Sequence, residues 1–578
     1  MYDAFAGGHS ISAVGGDFFV SVRFRSGVSA ARQGGNTVKC YPSLQEAARL
    51  AATYNVVPIV RERMADTETP IRVFRRMAER RHAFLLESAD GGARWGRYSF
   101  LGADPFLVVR GKAGRFELIY RDRTETVRGR PIELLSSLME KYRAPVLPDL
   151  PPFAGGAIGY FAYDLLRYYE RLPAHRVDDL DMDDLYLMFC DEVVVFDHLR
   201  HRLLFIANMR IRPGDTEADI ARSYREACER TERLAASVAG AAELSGENGP
   251  PFGSEAFADD GDIGDVRSNM DRSRYEEMVI RAREYIRAGD IFQVVLSQRF
   301  ETRPKASPFQ IYRALRALNP SPYMYYLKMD RETIVGSSPE MLVRVEDGIV
   351  RTRPIAGTRP RGRTPEEDEA LERDLLSDEK ERAEHVMLVD LGRNDLGRVC
   401  EFGSVKCDSY MRIERYSHVM HIVSDVSGRL RKDKSAIDAF VSCLPAGTVS
   451  GAPKLRAMEI IAELEREARG PYAGAIGYWA FTGALNTCIT IRTIVFKGGA
   501  AYVQAGAGIV WDSVPENEYR ETVNKAKAML RAVRIADRLF VESAPGSRFS
   551  GLMETPARKS APNEDYFFLE MTQAGGDE

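Results

Sequence analysis

The chain has 578 residues, of which 44% are hydrophobic and 28% charged; this composition indicates a folded protein of two to three domain-sized units and excludes wholesale disorder. Its 80 basic and 84 acidic residues give a net charge of −4, so we expect no broadly basic nucleic-acid surface. Seven scattered cysteines without a Cys-x-x-Cys motif disfavour a disulfide scaffold or zinc ribbon and favour a reducing, cytoplasmic location.

Three segments of loose composition divide the chain. Residues 1–39 are rich in Gly and Ser, and we predict a disordered extension there. Residues 241–268 are rich in Gly, Pro and Asp and are predicted to form a linker or surface loop, and residues 541–578 a flexible tail. Two folded regions, 40–240 and 269–540, remain.

Both folded regions are predicted to mix helices and strands. In chain order, the predicted helices cover residues 44–54, 216–234 and 274–287. The predicted strands cover residues 106–111, 193–197 and 292–296.

The stretch from Arg469 to Arg492 carries no charge between its ends and is long enough to cross a bilayer. Proline and glycines interrupt it, so we predict two buried strands with a turn near Thr482–Gly483 and no membrane segment. It includes the pentapeptide Gly-Ala-Ile-Gly-Tyr at 474–478, which also occurs at 156–160. The repeat reflects either chance or a shared strand design with glycines at a close approach.

Two glutamate pairs are the first candidates for chemistry. Glu381 and Glu384 share one face of a predicted helix, and Glu518 and Glu521 repeat this spacing after a predicted capping box at 513–516. Oxygen-only clusters without histidine suit Mg²⁺ better than zinc. The alternative is two solvated helix faces with weak ion pairs.

The other candidate groups are weaker when taken one at a time. Residues 504–508 are predicted to form a loop of small residues, which either binds an anion through backbone N–H groups or makes a plain turn. Residues 446–454 lack the spacing of a nucleotide-binding phosphate loop, so we expect no ATP site. Arg492 continues an apolar strand pattern and needs a partner, either a substrate carboxylate or a structural ion pair. His418 and His421 are candidate proton shuttles or ordinary core or surface histidines.

The order of five motifs resembles the chorismate-utilising enzymes over about residues 270–535. These motifs lie at residues 354–362, 384–396, 416–421, 447–454 and 504–510. The N-terminal region resembles the regulatory region of the anthranilate synthase component I family, in residues 85–88, 97–99 and 155–161. The resemblance implies an α+β fold: large antiparallel β-sheets packed face to face, wrapped by helices, in two interleaved subdomains. It makes 40–240 a regulatory, tryptophan-binding region and 269–540 the chorismate-binding catalytic region.

The resemblance also implies a role for each matching residue. Glu384 and Glu521 match Mg²⁺ ligands, with Glu381 and Glu518 nearby. The residues that match catalytic positions are Glu340, which protonates the departing hydroxyl, His421, which transfers a proton near ring C2, and Thr448. The residues that match substrate-binding positions are Gly357 and Thr358 for the ring carboxylate, and Tyr472, Arg492, Gly506, Ala507, Gly508 and Lys525 for the pyruvyl carboxylate. The residues that match the site of the inhibitor tryptophan are Glu87, Ser88, Pro322, Tyr323 and Met324.

Two positions distinguish the reactions of this family. Relatives that add water carry a lysine base where this chain has Gln293, and relatives that make aminodeoxychorismate carry a nucleophilic lysine where it has Ala356. The resemblance therefore implies that ammonia attacks chorismate and that anthranilate and pyruvate are formed, in the first committed step of tryptophan biosynthesis. The alternatives are an aminodeoxychorismate synthase component I and a non-catalytic subunit that binds chorismate or tryptophan.

The ammonia requires a source, and the resemblance implies a separate glutamine amidotransferase subunit. No region of this chain matches a glutaminase, so we expect a hetero-oligomer. Feedback inhibition by tryptophan is expected as well.

Overall fold

The computed structural model describes residues 40–88, 96–239, 263–416 and 419–542. Its helices are α1 (Leu44–Ala51), α2 (Pro70–Met77), α3 (Pro131–Met139), α4 (Glu217–Ala239), α5 (Arg272–Ala288), α6 (Pro308–Leu318), α7 (Pro365–Ser377), α8 (Glu379–Gly397), α9 (Ala436–Cys443), α10 (Lys454–Leu464) and α11 (Pro515–Asp537). The predicted extension 1–39 and most of the predicted linker and tail lie outside the described residues.

The strands occur in runs of one to five between helices. They are β1 (Val56–Met64), β2 (Ala83–Glu87), β3 (Tyr98–Ala103), β4 (Leu107–Lys112), β5 (Arg115–Tyr120), β6 (Thr124–Arg128), β7 (Gly156–Phe161), β8 (Leu185–Cys190), β9 (Glu192–Asp197), β10 (Arg202–Arg210), β11 (Arg267–Ser268), β12 (Gln293–Thr302), β13 (Tyr323–Lys328), β14 (Glu332–Ser338), β15 (Met341–Glu346), β16 (Ile349–Thr352), β17 (Ile355–Pro360), β18 (Lys406–Arg415), β19 (Val419–Arg429), β20 (Gly451–Ala452), β21 (Ala475–Ala480), β22 (Leu485–Ile489), β23 (Thr493–Lys497) and β24 (Ala500–Ile509).

Two 12-stranded antiparallel sheets form the centre of the fold. The first sheet has the order β1-β10-β9-β3-β2-β13-β14-β23-β24-β12-β11, with β20 beside β12. The second has the order β17-β19-β16-β15-β22-β21-β7-β8-β4-β5-β6, with β18 beside β19. Strands from both halves of the chain pair within each sheet, as β2 does with β13 and β7 with β21. The predicted fold of facing sheets with interleaved subdomains is therefore confirmed.

The two sheets bury one core between them and others beneath the helices. Phe84, Tyr325 and Tyr478 belong to the core between the sheets. Leu85 alternates to the other face of the first sheet and joins a core beneath helices α6 and α11. Such period-two alternation places one strand in two cores, which is how a sheet buried on both faces is built.

The repeat and the uncharged stretch form strands as predicted, whereas one predicted helix cap does not form. The two copies of Gly-Ala-Ile-Gly-Tyr lie on β7 and β21, which pair with each other and bring Gly159 opposite Gly477. The uncharged stretch forms the hairpin β21–β22 as predicted. The predicted capping box at 513–516 is wrong, because Val514 is the N-cap of α11 and makes no side-chain cap. Pro515 begins this helix instead, since it needs no hydrogen-bond partner for an N–H group there.

No helix among the described residues combines the length and the apolar character that crossing a bilayer requires.

Candidate functional site

The site lies where the chain crosses from one sheet to the other at two neighbouring points. Glu340 lies between β14 of the first sheet and β15 of the second, and Arg492 lies between β22 of the second and β23 of the first. The crossings are tied together because Ser337 N–H donates to the Arg492 carbonyl at 3.1 Å. The Ile489 N–H also donates to the Glu340 carbonyl at 3.0 Å. Because these hydrogen bonds hold the two crossings side by side, the positions of Glu340 and Arg492 relative to each other are fixed.

Glu340 is a partly buried carboxyl group at the first crossing. The Thr448 hydroxyl donates a hydrogen bond to its Oε1 at 3.1 Å, from the short turn Gly447–Val449. Burial raises the pKa of Glu340 to about 8, although Thr448 and the charge of Lys525 act in the opposite direction. Glu340 is therefore mostly protonated at neutral pH and can donate a proton. Both residues line a cavity of about 40 Å³.

His421 lies on β19, beside the bulge that Gly357 makes in β17. Its Nδ1 is 3.0 Å from the Gly357 carbonyl oxygen and 3.1 Å from Thr358 Oγ1. Because a carbonyl only accepts, Nδ1 carries the proton, and Nε2 is left with a lone pair. Burial lowers the pKa of His421, so the ring is neutral at pH 7 and can accept a proton. His418 lies outside the described residues.

The predicted strand through Arg492 ends at Ile489, and Arg492 adopts a left-handed backbone conformation with φ of 51°. Burial lowers the pKa of its guanidinium, while Tyr472 and Glu521 act in the opposite direction. This partly buried guanidinium makes no ion pair with any described residue, which suits it to an anionic ligand.

The predicted loop at 504–508 is wrong, because these residues are part of strand β24. β24 pairs with β12 along its length, but β23 accompanies it only from Ala500 to Val503. Opposite Gly506 and Gly508, the β12 residues Ser297 and Val295 direct their N–H groups to Glu465 and to the Ser450 carbonyl.

These are therefore non-hydrogen-bonded pairs, and the N–H groups of both glycines point away from β12, past the end of β23. The strand thus directs backbone donors at an anion without forming a loop. A side chain is excluded at Gly506 by the Leu296 backbone carbonyl and the Tyr472 hydroxyl, and at Gly508 it would have to displace the Gln293 side chain. A Cβ atom on Gly506 would lie 2.8 Å from the Tyr472 hydroxyl, and one on Gly508 would lie 2.7 Å from Gln293 Nε2.

Lys525 connects this strand to the second glutamate pair. Its Nζ donates to the Gly506 carbonyl at 3.0 Å and pairs with Glu521 Oε1 at 2.6 Å. On the other side, Gln293 Nε2 donates to Glu384 Oε1 at 3.5 Å. The backbone of β24 therefore lies between the two helices that carry the glutamate pairs.

The glutamate pairs lie on two helices, Glu381 and Glu384 on α8 and Glu518 and Glu521 on α11. Burial and the charge of Glu384 raise the pKa of Glu381, and burial, with a contribution from Glu521, raises that of Glu518. Lys380 is close enough to interact with both Glu384 and Glu518. Among the described residues, no three acidic, histidine or cysteine side chains converge closely enough to form a metal cluster by themselves. Mg²⁺ is commonly bound by one or two protein carboxylates, and water and substrate complete its coordination shell. The glutamates of α8 and α11 can supply such carboxylates.

The five predicted inhibitor residues all line a second cavity, of about 90 Å³, at the junction of β2 and β13 with β21 and β22. The Ser88 hydroxyl is buried there without a hydrogen-bond partner, and Tyr323 donates to Asn486 across the two sheets at 3.1 Å. Glu87 and Met324 are opposite each other on β2 and β13. Their side chains lie on the other face of the sheet, where Tyr312 donates to Glu87 at 2.6 Å. The side chain of Ser88 and the backbones of Glu87 and Met324 therefore present the polar groups of this cavity.

Sequence reasoning missed the buried ion pair between Glu465 and Arg469. Arg469 Nη2 donates to Glu465 Oε1 at 2.6 Å and to the Val295 carbonyl at 2.8 Å, and its Nη1 donates to the Val449 carbonyl at 2.7 Å. The pair thus holds the Thr448 turn against β12. Its only sequence signal is an i, i+4 spacing, which on most helices marks a solvated pair.

Three comparisons place these features among known proteins. A model of chorismate binding enzymes matches residues 82–531. Anthranilate synthase component 1 of Acetivibrio thermocellus is 52% identical over 499 residues, covering 86% of this chain and 99% of that protein. The same component of Aquifex aeolicus is 47% identical over 497 residues, covering 86% and 98%. The crystal structure of anthranilate synthase component I from Streptococcus pneumoniae has a TM-score of 0.63 and 40% identity, covering 76% of this chain and 93% of that one.

Proposed function

The chain belongs to the chorismate-binding enzymes, within the anthranilate synthase component 1 family, and on that premise we propose that it converts chorismate and ammonia to anthranilate and pyruvate. This is a step of tryptophan biosynthesis. The observation that supports the proposal is a protonated acid, Glu340, and a neutral histidine, His421, on which the charges of Lys525 and Arg492 act respectively, while positions 293 and 356 provide no amine to replace ammonia.

The residues divide the proton transfers of this reaction between them. Ammonia attacks ring C2, and the 4-hydroxyl departs as water after Glu340 donates its proton. Pyruvate is then eliminated as the C2 proton leaves, and His421 Nε2 accepts that proton as the ring becomes aromatic. Since Nδ1 stays bonded to the Gly357 carbonyl, the histidine keeps its orientation during the transfer.

The anionic groups of chorismate bind at two ends of the site. The pyruvyl carboxylate binds Arg492, Tyr472 and the N–H groups of β24, where a guanidinium and backbone donors converge. The ring carboxylate lies near Gly357 and Thr358. Mg²⁺ held by Glu384 and Glu521 would supply Lewis-acid stabilisation to that carboxylate.

A product analysis tests this function directly. The purified chain is incubated with chorismate, Mg²⁺ and an ammonium salt, and the products are separated and identified by fluorescence and mass. We expect anthranilate and pyruvate in equal amounts. Accumulation of aminodeoxychorismate or isochorismate, or no turnover, would overturn the proposal and would favour one of the alternative functions.

The chain is expected to act with a partner in the cytoplasm. Its relatives carry the designation component 1, and we propose a glutamine amidotransferase subunit as the source of ammonia.

Ala356→Lys tests the position that separates this reaction from aminodeoxychorismate formation. Ala356 lies on β17, one residue before the bulge at Gly357, and it pairs with Ile422 on β19. A lysine whose pKa is lowered by burial beside a bound cation is a nucleophile that competes with ammonia. We expect anthranilate formation to fall by at least about tenfold, with a covalent substrate adduct detectable by mass. Gln293→Lys places a base beside Glu384 in the same way and is expected to yield some isochorismate. Wild-type anthranilate formation by Ala356→Lys without an adduct would show that position 356 does not face the reacting carbon.

Ser88→Ala tests tryptophan as the ligand of the second cavity. The unpartnered Ser88 hydroxyl supports a polar ligand there, because a buried hydroxyl without a partner costs free energy that a bound ligand would recover. We expect the tryptophan concentration for half-inhibition to rise about tenfold while uninhibited turnover is unchanged. The matched control is Ser137→Ala, whose hydroxyl lies on the surface of α3. Unchanged inhibition in Ser88→Ala would exclude this cavity as the tryptophan site.

A further inference from the structure

Two cysteines that are far apart in sequence meet at the surface of the first sheet. Cys40 precedes β1, and Cys228 lies on α4, which packs on β1 and β10. Both side chains pack against one small hydrophobic cluster, and the two thiols are close enough to influence each other's ionisation. The Tyr224 hydroxyl donates to the Pro42 carbonyl at 3.0 Å and fixes α4 against this segment.

The surroundings of Cys40 favour its thiolate. Thr231 Oγ1 lies 3.6 Å from Cys40 Sγ and donates to the Cys228 carbonyl at 2.7 Å. Arg61 Nη2 donates to Cys40 Sγ at 3.7 Å. The neighbouring Cys228, together with Thr231 and Arg61, lowers the pKa of Cys40 against the opposing effect of burial. The same contact raises the pKa of Cys228, which stays a thiol.

The other five cysteines have no such environment. Cys190, Cys400, Cys443 and Cys488 are buried, and burial raises the pKa of each thiol. Cys407 is exposed, but burial of part of its surface and neighbouring carboxylates raise its pKa as well. Cys40 and Cys228 are both partly exposed, so a small oxidant can reach them.

We propose that Cys40 and Cys228 form a peroxide-reactive dithiol that closes an intramolecular disulfide. The Cys40 thiolate attacks one oxygen of hydrogen peroxide, the O–O bond breaks, and hydroxide leaves, so Cys40 becomes a sulfenic acid. The Cys228 sulfur then attacks the Cys40 sulfur, an S–S bond forms, and the hydroxyl leaves as water with the thiol proton. Two thiols are oxidised and one peroxide is reduced to two waters. The disulfide would join the segment before α1 to α4, far in sequence from the residues of the catalytic site.

Oxidation of the full chain by hydrogen peroxide tests this proposal. The reduced protein is treated with peroxide, and free thiols are blocked before intact-mass and peptide analysis. We expect a loss of two hydrogens and a Cys40–Cys228 crosslink within one chain. The matched control Cys407→Ser should form the same crosslink, since it removes only an exposed thiol. Preferential oxidation of Cys407, or disulfides only between chains, would overturn the proposal.

Two variants separate the steps. Cys228→Ser removes the resolving thiol, so a sulfenic acid should persist at Cys40 and react with a dimedone probe, whereas Cys40→Ser should give neither product. The pH dependence of alkylation by iodoacetamide should show a midpoint at Cys40 below the ordinary thiol range, and Arg61→Gln should move this midpoint upward. An alkylation midpoint of Cys40 in the ordinary thiol range, measured on folded wild-type protein, would contradict the role of Cys40 as the reactive thiolate.

Discussion

Glu384→Gln and Glu521→Gln are each expected to lower ammonia-dependent anthranilate formation by at least about 100-fold. Each change removes one charge from the paired carboxylates that fit Mg²⁺, while the amide keeps the volume of the side chain. The amide oxygen of each glutamine can still accept the hydrogen bond that Gln293 donates to position 384 or that Lys525 donates to position 521. We therefore expect no large structural change beyond the site. Initial rates measured over a range of Mg²⁺ concentrations check this, and the midpoint for Mg²⁺ should move to higher concentration.

The matched control lies on the same helix. Glu379→Gln changes an exposed carboxylate at the start of α8, and we expect the wild-type rate and the wild-type Mg²⁺ dependence. Chelation of divalent ions should abolish turnover of the wild type and Glu379→Gln alike. If Glu384→Gln and Glu521→Gln stay active in the presence of the chelator, the metal assignment is wrong.

Glu340→Gln is expected to lower turnover by about 10²–10⁴-fold, the usual contribution of a general acid. Glutamine can still accept the hydrogen bond from Thr448 but cannot donate a proton to the departing hydroxyl. Glu346→Gln on the following strand is the control, since its carboxylate pairs with Arg344 and lies outside the site. Rates of both variants with saturating ammonium separate the loss of the acid from an effect on ammonia supply.

The pH dependence of the wild type follows from the same group. The protonated form of Glu340 is the active one, so turnover at a fixed concentration of free NH₃ should be constant from the pH at which His421 is neutral up to about 8, and it should fall as the pH rises through that value. Thr448→Val removes a hydrogen bond that lowers the pKa of Glu340 and should shift this alkaline limb upward. An alkaline limb that is the same in the wild type and in Glu340→Gln would assign it to another group.

The sequence by itself determined the family and the identity of the candidate residues. The motifs are contiguous stretches, so their residue types and spacing are visible without a fold. Local elements were predictable for the same reason. The helix that begins at Leu44 has apolar residues at helical spacing, and Ser43 and Glu46 form the capping box at its start. The uncharged hairpin was likewise predictable, because its turn residues interrupt the apolar pattern.

Only the tertiary structure decided how these residues act. The small residues at 504–508 form a strand because β12 pairs with them from far away in sequence, which turns the glycine N–H groups toward the site. The acid at Glu340 has its raised pKa because two sheet crossings bury it, and the Glu465–Arg469 pair is buried only by packing against β12. Cys40 and Cys228 meet only because α4 folds back over β1. Burial and pairing between distant segments set solvation, charge and orientation, and these depend on neighbours that no local pattern specifies.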